Sequence, residues 1–416
     1  MDIAAHRKLF SDHQMDFLGQ SQVVYHCHHF NLFFDQTIDD ALGHERGTEL
    51  RTRAAHKASY QFLRGLFDRS AATSPVERLT TAAALFGGMG HGKINLLMGR
   101  DGGEAKGDYL HYGFAWREKY GKDISRKNPA DAFAAGFAAA ATEVAYDLSP
   151  GRIAGNETEC IAMGAPACRI ATTMAEDRFA TRGVLPITAQ ESLPSAHKGL
   201  LENQIAPIAE GLRGFLGGVS GDDRGLVDAF GVLVTLHLAD YYNHAANDAL
   251  AVLVAEKPAV VDVFRSLLEE SGTVCAFNTF GGILASPEWE GMVGAPTGDP
   301  TEVVVGCLAI ARALGFGCWT LEEIIPGKRL VIASGGTYES IYAKTIVERP
   351  LRGASGLFVG AVSGIMRLAH DVVWTPRPEM SHEVYLRLAA DTRWRVEETQ
   401  SLASDDDADR VVVTLK

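Results

Sequence analysis

The chain has 416 residues, 46% hydrophobic and 22% charged, a globular composition that argues against disorder. A formal net charge of −13 disfavours nucleic acid or an anionic membrane surface as the main partner, because both demand clustered Lys and Arg. No apolar run reaches the roughly 18 residues of a spanning helix. No apolar signal segment follows Met1, and six Cys are too few for a disulfide scaffold. A cytoplasmic protein with no membrane partner is therefore expected.

In chain order, helical spacing of Phe, Leu and His predicts helices over 15–45 and 50–70. The first contains His26-Cys27-His28-His29 and Asn31. Gly87-x4-Gly92-Lys93 imitates a phosphate loop, but Ile94 stands where the Ser or Thr hydroxyl is required, so a turn into a strand at Ile94 to Met98 is the expectation. An Ala- and Gly-rich helix over 129–147 has small residues at close spacing and should pack tightly on a neighbour. A short strand follows at Cys168 to Thr173. Residues 176–196, with Pro186 and Pro194, read as a linker. Beyond it, helices are expected over 195–216, 224–254 and 259–270, a strand at Leu330 to Ala333, a second small-residue helix over 354–371, and a closing strand at Arg410 to Leu415.

These two series repeat. Asp40-Ala41-Leu42 recurs as Asp248-Ala249-Leu250, 208 residues on, which sets His29 against His237. Gly90-His91-Gly92 recurs as Gly315-Phe316-Gly317, Gly136 to Asp147 as Gly360 to Asp371, and Glu157-Thr158 as Glu398-Thr399. The elements keep their order. The chain therefore reads as a diverged tandem duplication of class α+β, with domains at 1–175 and 197–416 forming a pseudo-two-fold pair, each with helices on a small antiparallel sheet.

The first half ends in Glu157-Thr158-Glu159-Cys160 and, after a Gly164-Ala165-Pro166 turn, Cys168-Arg169-Ile170. Such a turn can return both thiolates to one point, and Glu157 can add an oxygen. Two thiolates and a carboxylate suit Zn²⁺; two buried structural thiols are the competing reading. The second half carries Glu398, Ser401 and Asp409 there instead, so one such site per chain is expected.

The run Glu-x-Glu-Cys-x-x-Met-Gly-x-x-x-Cys-Arg-Ile resembles the C-terminal signature of the 4-vinyl-reductase-type small-molecule-binding domain. That family occurs in proteins linked to bacteriochlorophyll vinyl reduction and in phenol-sensing transcription activators. The resemblance is concentrated in 129–172. It implies a pocket for a small apolar or aromatic ligand in each copy. In sensor members zinc is held by a Cys, a Glu and two further Cys. The last three match Glu157, Cys160 and Cys168, and the first falls on Asp131, so the implied set is Asp131, Glu157, Cys160 and Cys168.

If residues 26–34 and 237–244 are helical, His26, His29 or Phe30, and Phe33 share one face, and His28 points away. His237, Asp240 or Tyr241, and His244 share another. Imidazole and carboxylate at that spacing can chelate a second metal such as iron, or serve as acid/base groups. With Asn31, Tyr241 and the neighbouring aromatic residues they could line a cleft. Three readings follow: a metal-containing binder of a small apolar or aromatic molecule, a metal-dependent, oxidoreductase-like enzyme acting through these His residues, and a scaffold or regulatory partner, with a homodimer or another protein as its companion.

Overall fold

The computed structural model describes residues 3–68, 72–121, 123–176, 199–347 and 355–416. The first half runs β1 (Arg7–Phe10), β2 (Met15–Leu18), β3 (Ser21–Cys27), α1 (His28–Leu42), α2 (His44–Phe67), α3 (Pro75–Gly88), β4 (Asn95–Gly99), β5 (Gly102–Gly107), α4 (His111–Tyr120), α5 (Ala132–Ala145), β6 (Ile153–Glu159) and β7 (Cys168–Met174). The second runs α6 (Glu202–Gly217), β8 (Val227–Ala229), β9 (Val232–Leu238), α7 (Ala239–Glu256), α8 (Val261–Cys275), α9 (Pro300–Ala313), β10 (Trp319–Ile325), β11 (Arg329–Ser334), α10 (Tyr338–Ile346), α11 (Gly356–Asp371), α12 (His382–Ala390), β12 (Trp394–Gln400) and β13 (Asp409–Leu415). A π-helical turn, Ala276–Gly281, follows α8. From residue 177 on, the expected linker lies outside the described residues.

The class is α+β. Among the described residues three antiparallel sheets pack with the helices. Two have the same order, β4-β5-β7-β6 and β10-β11-β13-β12. The two closing hairpins are irregular at matching places, Glu157/Glu159 against Arg169 and Glu398/Gln400 against Arg410. The third sheet, β1-β2-β3-β9-β8, draws strands from both halves, joined where β3 meets β9 (Val24↔His237, His26↔Thr235). Helices cross as well: α1 packs on α8, and α7 packs on α2. One hydrophobic cluster consequently extends through both halves.

The small-residue helices pack as their composition dictates. Every residue of α5 is buried. A Cβ on Gly136 would overlap the Thr52 carbonyl of α2, and one on Gly360 would overlap the Glu269 carbonyl of α8. Hydrogen there lets backbones approach closely enough for continuous van der Waals contact.

Two helical expectations fail at their starts. Residues 15–45 are two strands and then a helix, and 224–254 are two strands and then a helix. β3 is buried along its whole length, so it shows no alternation and its apolar run imitates a buried helix. His26 and His237 are thus strand residues, and His237, Asp240 and His244 do not share a helical face. The strand-to-helix junctions, Cys27–His28 and Leu238–Ala239, set His237 against His26 and not His29.

Candidate functional site

The β6–β7 hairpin folds its thiols inward. The Gly164 turn is left-handed (φ 93°), as the short Cys160-to-Cys168 return requires. Ligand atoms of Glu157, Cys160 and Cys168 all lie within 4.8 Å of one another, the one such group of three His, Cys, Asp or Glu side chains among the described residues. Both thiols are fully buried and Glu157 is 6% exposed. Glu157 Oε2 accepts the Asp131 backbone N–H (2.6 Å), whereas buried Oε1 makes no well-formed hydrogen bond, although the carboxyl lies beside the Cys160 and Cys168 thiols. Burial, reinforced by Cys160, holds the Glu157 carboxyl protonated far above the ordinary carboxylate range. A hydrogen bond from Cys168 favours the thiolate on Cys160, and the same bond with burial keeps the Cys168 proton in place. Gly113 faces the pair: a Cβ there would lie 3.0 Å from Cys168 Sγ and 3.4 Å from Cys160 Sγ. An orphaned buried oxygen, two thiols and a side-chain-free wall fit a thiophilic dication such as Zn²⁺.

Asp131 stands beside this group with other work. It is the N-cap of α5, its Oδ1 accepting from Ala134 N–H (2.8 Å) and its Oδ2 from Tyr112 N–H (3.4 Å). Burial and Glu157 raise its carboxyl well above the usual range.

The second half fills the same place with oxygen chemistry. Asp409 stands where Cys168 does. Its Oδ1 accepts Leu402 N–H (2.9 Å), as Cys168 Sγ accepts Ile161 N–H (3.4 Å). α4 and α10 start at equivalent points, so Ser340 stands where Gly113 does, and its hydroxyl donates to Asp409 Oδ2, which also accepts Thr337 N–H (3.2 Å). Hydrogen bonds brace this half where thiols and a carboxyl occur in the first.

Three successive residues of α4 connect the thiols to a buried histidine cluster. Gly113 touches the thiols. The Tyr112 hydroxyl bonds His237 Nε2 (3.2 Å), while His237 Nδ1 faces the Leu238 carbonyl (3.3 Å). His111 Nε2 meets Asn31 Nδ2 (3.1 Å). Asn31 is oriented by the Tyr242 hydroxyl on its Oδ1 (2.6 Å) and by its donation to Thr235 Oγ1 (3.1 Å). His111 Nε2 is therefore an acceptor, its proton sits on Nδ1, and Nδ1 is a buried donor with no partner. His91 is placed by Gly90 (φ 88°) and Gly92 (φ 98°), where any Cβ would strike the Val234 or Tyr109 carbonyl. The amides of Gly92 and Lys93 donate to Gly225 and Arg224 carbonyls, which leaves them no phosphate to cradle. Neither ring nitrogen of His91 makes a well-formed hydrogen bond, although the Leu236 carbonyl lies near. Ring centroids are 4.7 Å (His91–His237), 6.4 Å (His91–His111), 4.5 Å (His91–Phe133) and 4.2 Å (Phe133–His237). Burial holds all three histidines neutral.

In the second half Phe316 replaces His91 and Tyr338 replaces His111. His26 stacks on Phe316 and Phe30, and its Nε2 meets the Tyr338 hydroxyl (3.3 Å). The other expected residues disperse. His28 faces the Leu233 carbonyl (3.3 Å) and stacks near His29. The Tyr241 hydroxyl donates to Asp35 (2.6 Å), beside the buried Arg51. Burial raises Asp240 to about 7. His244 Nδ1 meets the Tyr342 hydroxyl (2.8 Å). His26, His28, His29, His237, Asp240 and His244 do not bring three ligand atoms together. His91 and His111 were not singled out by spacing. The Gly-His-Gly turn, repeated as Gly-Phe-Gly, was the available signal for the first; nothing local marks the second.

No protein-family model matches the chain, and no curated protein matches it. Solved structures similar to it include the phenol-responsive sensory domain of the transcription activator PoxR with phenol, at 18% identity and a TM-score of 0.34, over 41% of this chain and 86% of that one. Likeness at that level does not identify a family. Among the described residues, no helix is long and apolar enough to cross a membrane.

Proposed function

We propose that this protein binds a small aromatic molecule in the chamber of His91, His111 and His237, and that a zinc ion held by Glu157, Cys160 and Cys168 braces the chamber wall. The observation that carries this reading is the unpaired Nδ1–H of His111 beside a His91 with no aligned partner, in fully buried aromatic surroundings. Leaving such groups unmade costs about 1–3 kcal/mol each. A hydroxyl-bearing aromatic could accept from one and bond the other while its ring packs on Phe133. His237 comes from the second half, so the chamber is completed by both halves.

The zinc would supply bracing. Gly113, Tyr112 and His111 are consecutive, so fixing the thiols against Gly113 fixes the two side chains that reach His237 and Asn31. Binding of the ion would release protons held by Glu157 and Cys168.

Thermal unfolding with phenol and its alkyl derivatives tests the ligand reading. A ligand at 100 times its Kd stabilises by about 2.7 kcal/mol. His91→Phe, which copies Phe316, should fold at least as well as the parent and lose the shift. No shift with any such compound, or an undiminished shift in His91→Phe, refutes the reading. For zinc, the purified protein should carry about one equivalent and Cys160→Ser far less; below about 0.3 equivalents in both, the zinc reading fails.

A further inference from the structure

The residues around the thiols differ in one respect from a closed four-ligand site. Three donors converge. Among the described residues no fourth His, Cys, Asp or Glu joins them: Asp131, the side chain at the remaining position, stands outside the group and aims its carboxylate oxygens at backbone amides, Ala134 N–H at 2.8 Å and Tyr112 N–H at 3.4 Å. These bonds are not incidental. Ala134 is the third residue of α5, so the first is the N-cap bond that starts the helix, and the second ties α4 to α5. To reach the group, Asp131 would have to turn away from the cap, at about 1–3 kcal/mol for each buried amide left unpaired. Its own backbone N–H already holds Glu157 Oε2, which turns Oε1, the orphaned oxygen, toward the thiols' group. Asp131 thereby positions a ligand without being one.

A second observation shows where a fourth ligand would come from. Glu157 lines a groove of about 610 Å³ between α2, the start of α5 and β6, walled also by Thr48, Arg53, His56 and Asn128. The thiols have no exposed surface and are backed by Gly113, so Glu157, 6% exposed, is the member of the group that borders the groove.

We infer that the ion is held by three protein atoms, from Glu157, Cys160 and Cys168, and that its fourth position belongs to an exchangeable small ligand, water or a small anion, admitted from the groove. The inference rests on the zinc reading. Zinc sites with three protein donors keep an open position of this kind, whereas four-donor sites are closed. The centre would thus be open to small anions as well as structural.

Cobalt-substituted protein tests it, with azide as the probe. In the parent, azide should shift the visible cobalt bands saturably. Asp131→Ser keeps a capping hydroxyl but offers a poor ligand; at saturating cobalt it should retain about one equivalent of metal and unchanged bands, even where affinity falls with the lost outer-shell support. Asp131→Cys, able to close the site, should add a thiolate charge-transfer contribution and abolish the azide shift. Altered bands in a folded, cobalt-saturated Asp131→Ser, or a cobalt-loaded parent indifferent to azide, would overturn the open fourth position. A parent that takes up no metal, with Cys160→Ser indistinguishable from it, would instead overturn the zinc reading itself.

Discussion

Substituting Gly136 by Ala should separate α5 from α2. The added Cβ would meet His56 N at 2.6 Å and Ala55 Cβ at 2.7 Å, besides overlapping the Thr52 carbonyl. Ordinary carbon contacts are about 3.5–4.0 Å, so the helices must part by roughly 1 Å, and a gap of that size forfeits a quarter to a half of each dispersion well along the contact. Two of the three obstacles are backbone atoms of α2, so no rotamer change relieves them. Overpacking typically costs about 1–3 kcal/mol, and this position belongs at the upper end. The helix-propensity gain of Ala over Gly, about 1 kcal/mol, opposes it and is too small to win. Gly211 in α6 supplies the control: a Cβ there meets nothing within 4 Å, so Gly211→Ala should stabilise by up to about 1 kcal/mol. Urea unfolding followed by circular dichroism gives both numbers, with the m-value checking that the transition is unchanged. The expected signs are opposite. If Gly136→Ala is within about 0.5 kcal/mol of the parent, the close-approach reasoning is wrong. Because α5 carries Asp131 at its start and Phe133 in the chamber, the same variant should also weaken zinc retention.

Other outcomes follow from the buried charges. Asp240 titrates near 7 in the folded chain against 3.8 for an exposed Asp, because burial disfavours its anion. The protonated form is favoured by folding, so its contribution is complete below about 3.8 and is lost as pH rises through about 7; Asp240→Asn should match the parent near pH 4 and exceed it at pH 8, by a margin of up to about 4 kcal/mol, and a pH-independent difference would contradict this. Arg51 is 1% exposed and bonds Asp35 (2.7 Å) and Asp39 (2.8 Å). Arg51→Met should cost up to about 3–5 kcal/mol at neutral pH by removing the buried cation the two carboxylates share, Asp39 keeping His44 (2.9 Å) and Arg126 (3.5 Å) and Asp35 the Tyr241 hydroxyl (2.6 Å); Asp35→Asn and Asp39→Asn together should partly repair the deficit in equilibrium unfolding. His244 is held neutral by burial and titrates near 4, so it opposes acid stability: its term is intact above about 6.5 and is lost as pH falls toward 4. His244→Gln should therefore show a smaller loss between pH 7 and pH 5 than the parent, and an equal or larger loss would refute the assignment.

Local chemistry was legible wherever a residue's role depends on its chain neighbours. The Cys160–Cys168 turn, the Ala- and Gly-rich α5 and α11, and the strands around Leu96 and Ile332 needed only short-range spacing, and the structure has them. The loss of the thiols in the second half was equally plain from Ser401 and Asp409. The histidine-bearing segments read as helices because β3 and β9 are buried on both faces within a shared sheet; full burial erases the alternation by which a strand is recognised, and the helices begin two residues after His26 and His237. Asp131 was legible as a carboxylate near the thiols, but its engagement as a helix cap depends on where α5 begins.

The sequence by itself determined the α+β class, the repeated order of elements and the convergence of Glu157, Cys160 and Cys168, since each follows from composition, repetition or a turn a few residues long. Only the tertiary structure decided that β3 pairs with β9, that His237 is packed with His91 and His111, and that Asp131 turns its oxygens to amides. The first two outcomes join residues 80 to more than 200 positions apart, and which buried polar atoms are satisfied is settled by that packing.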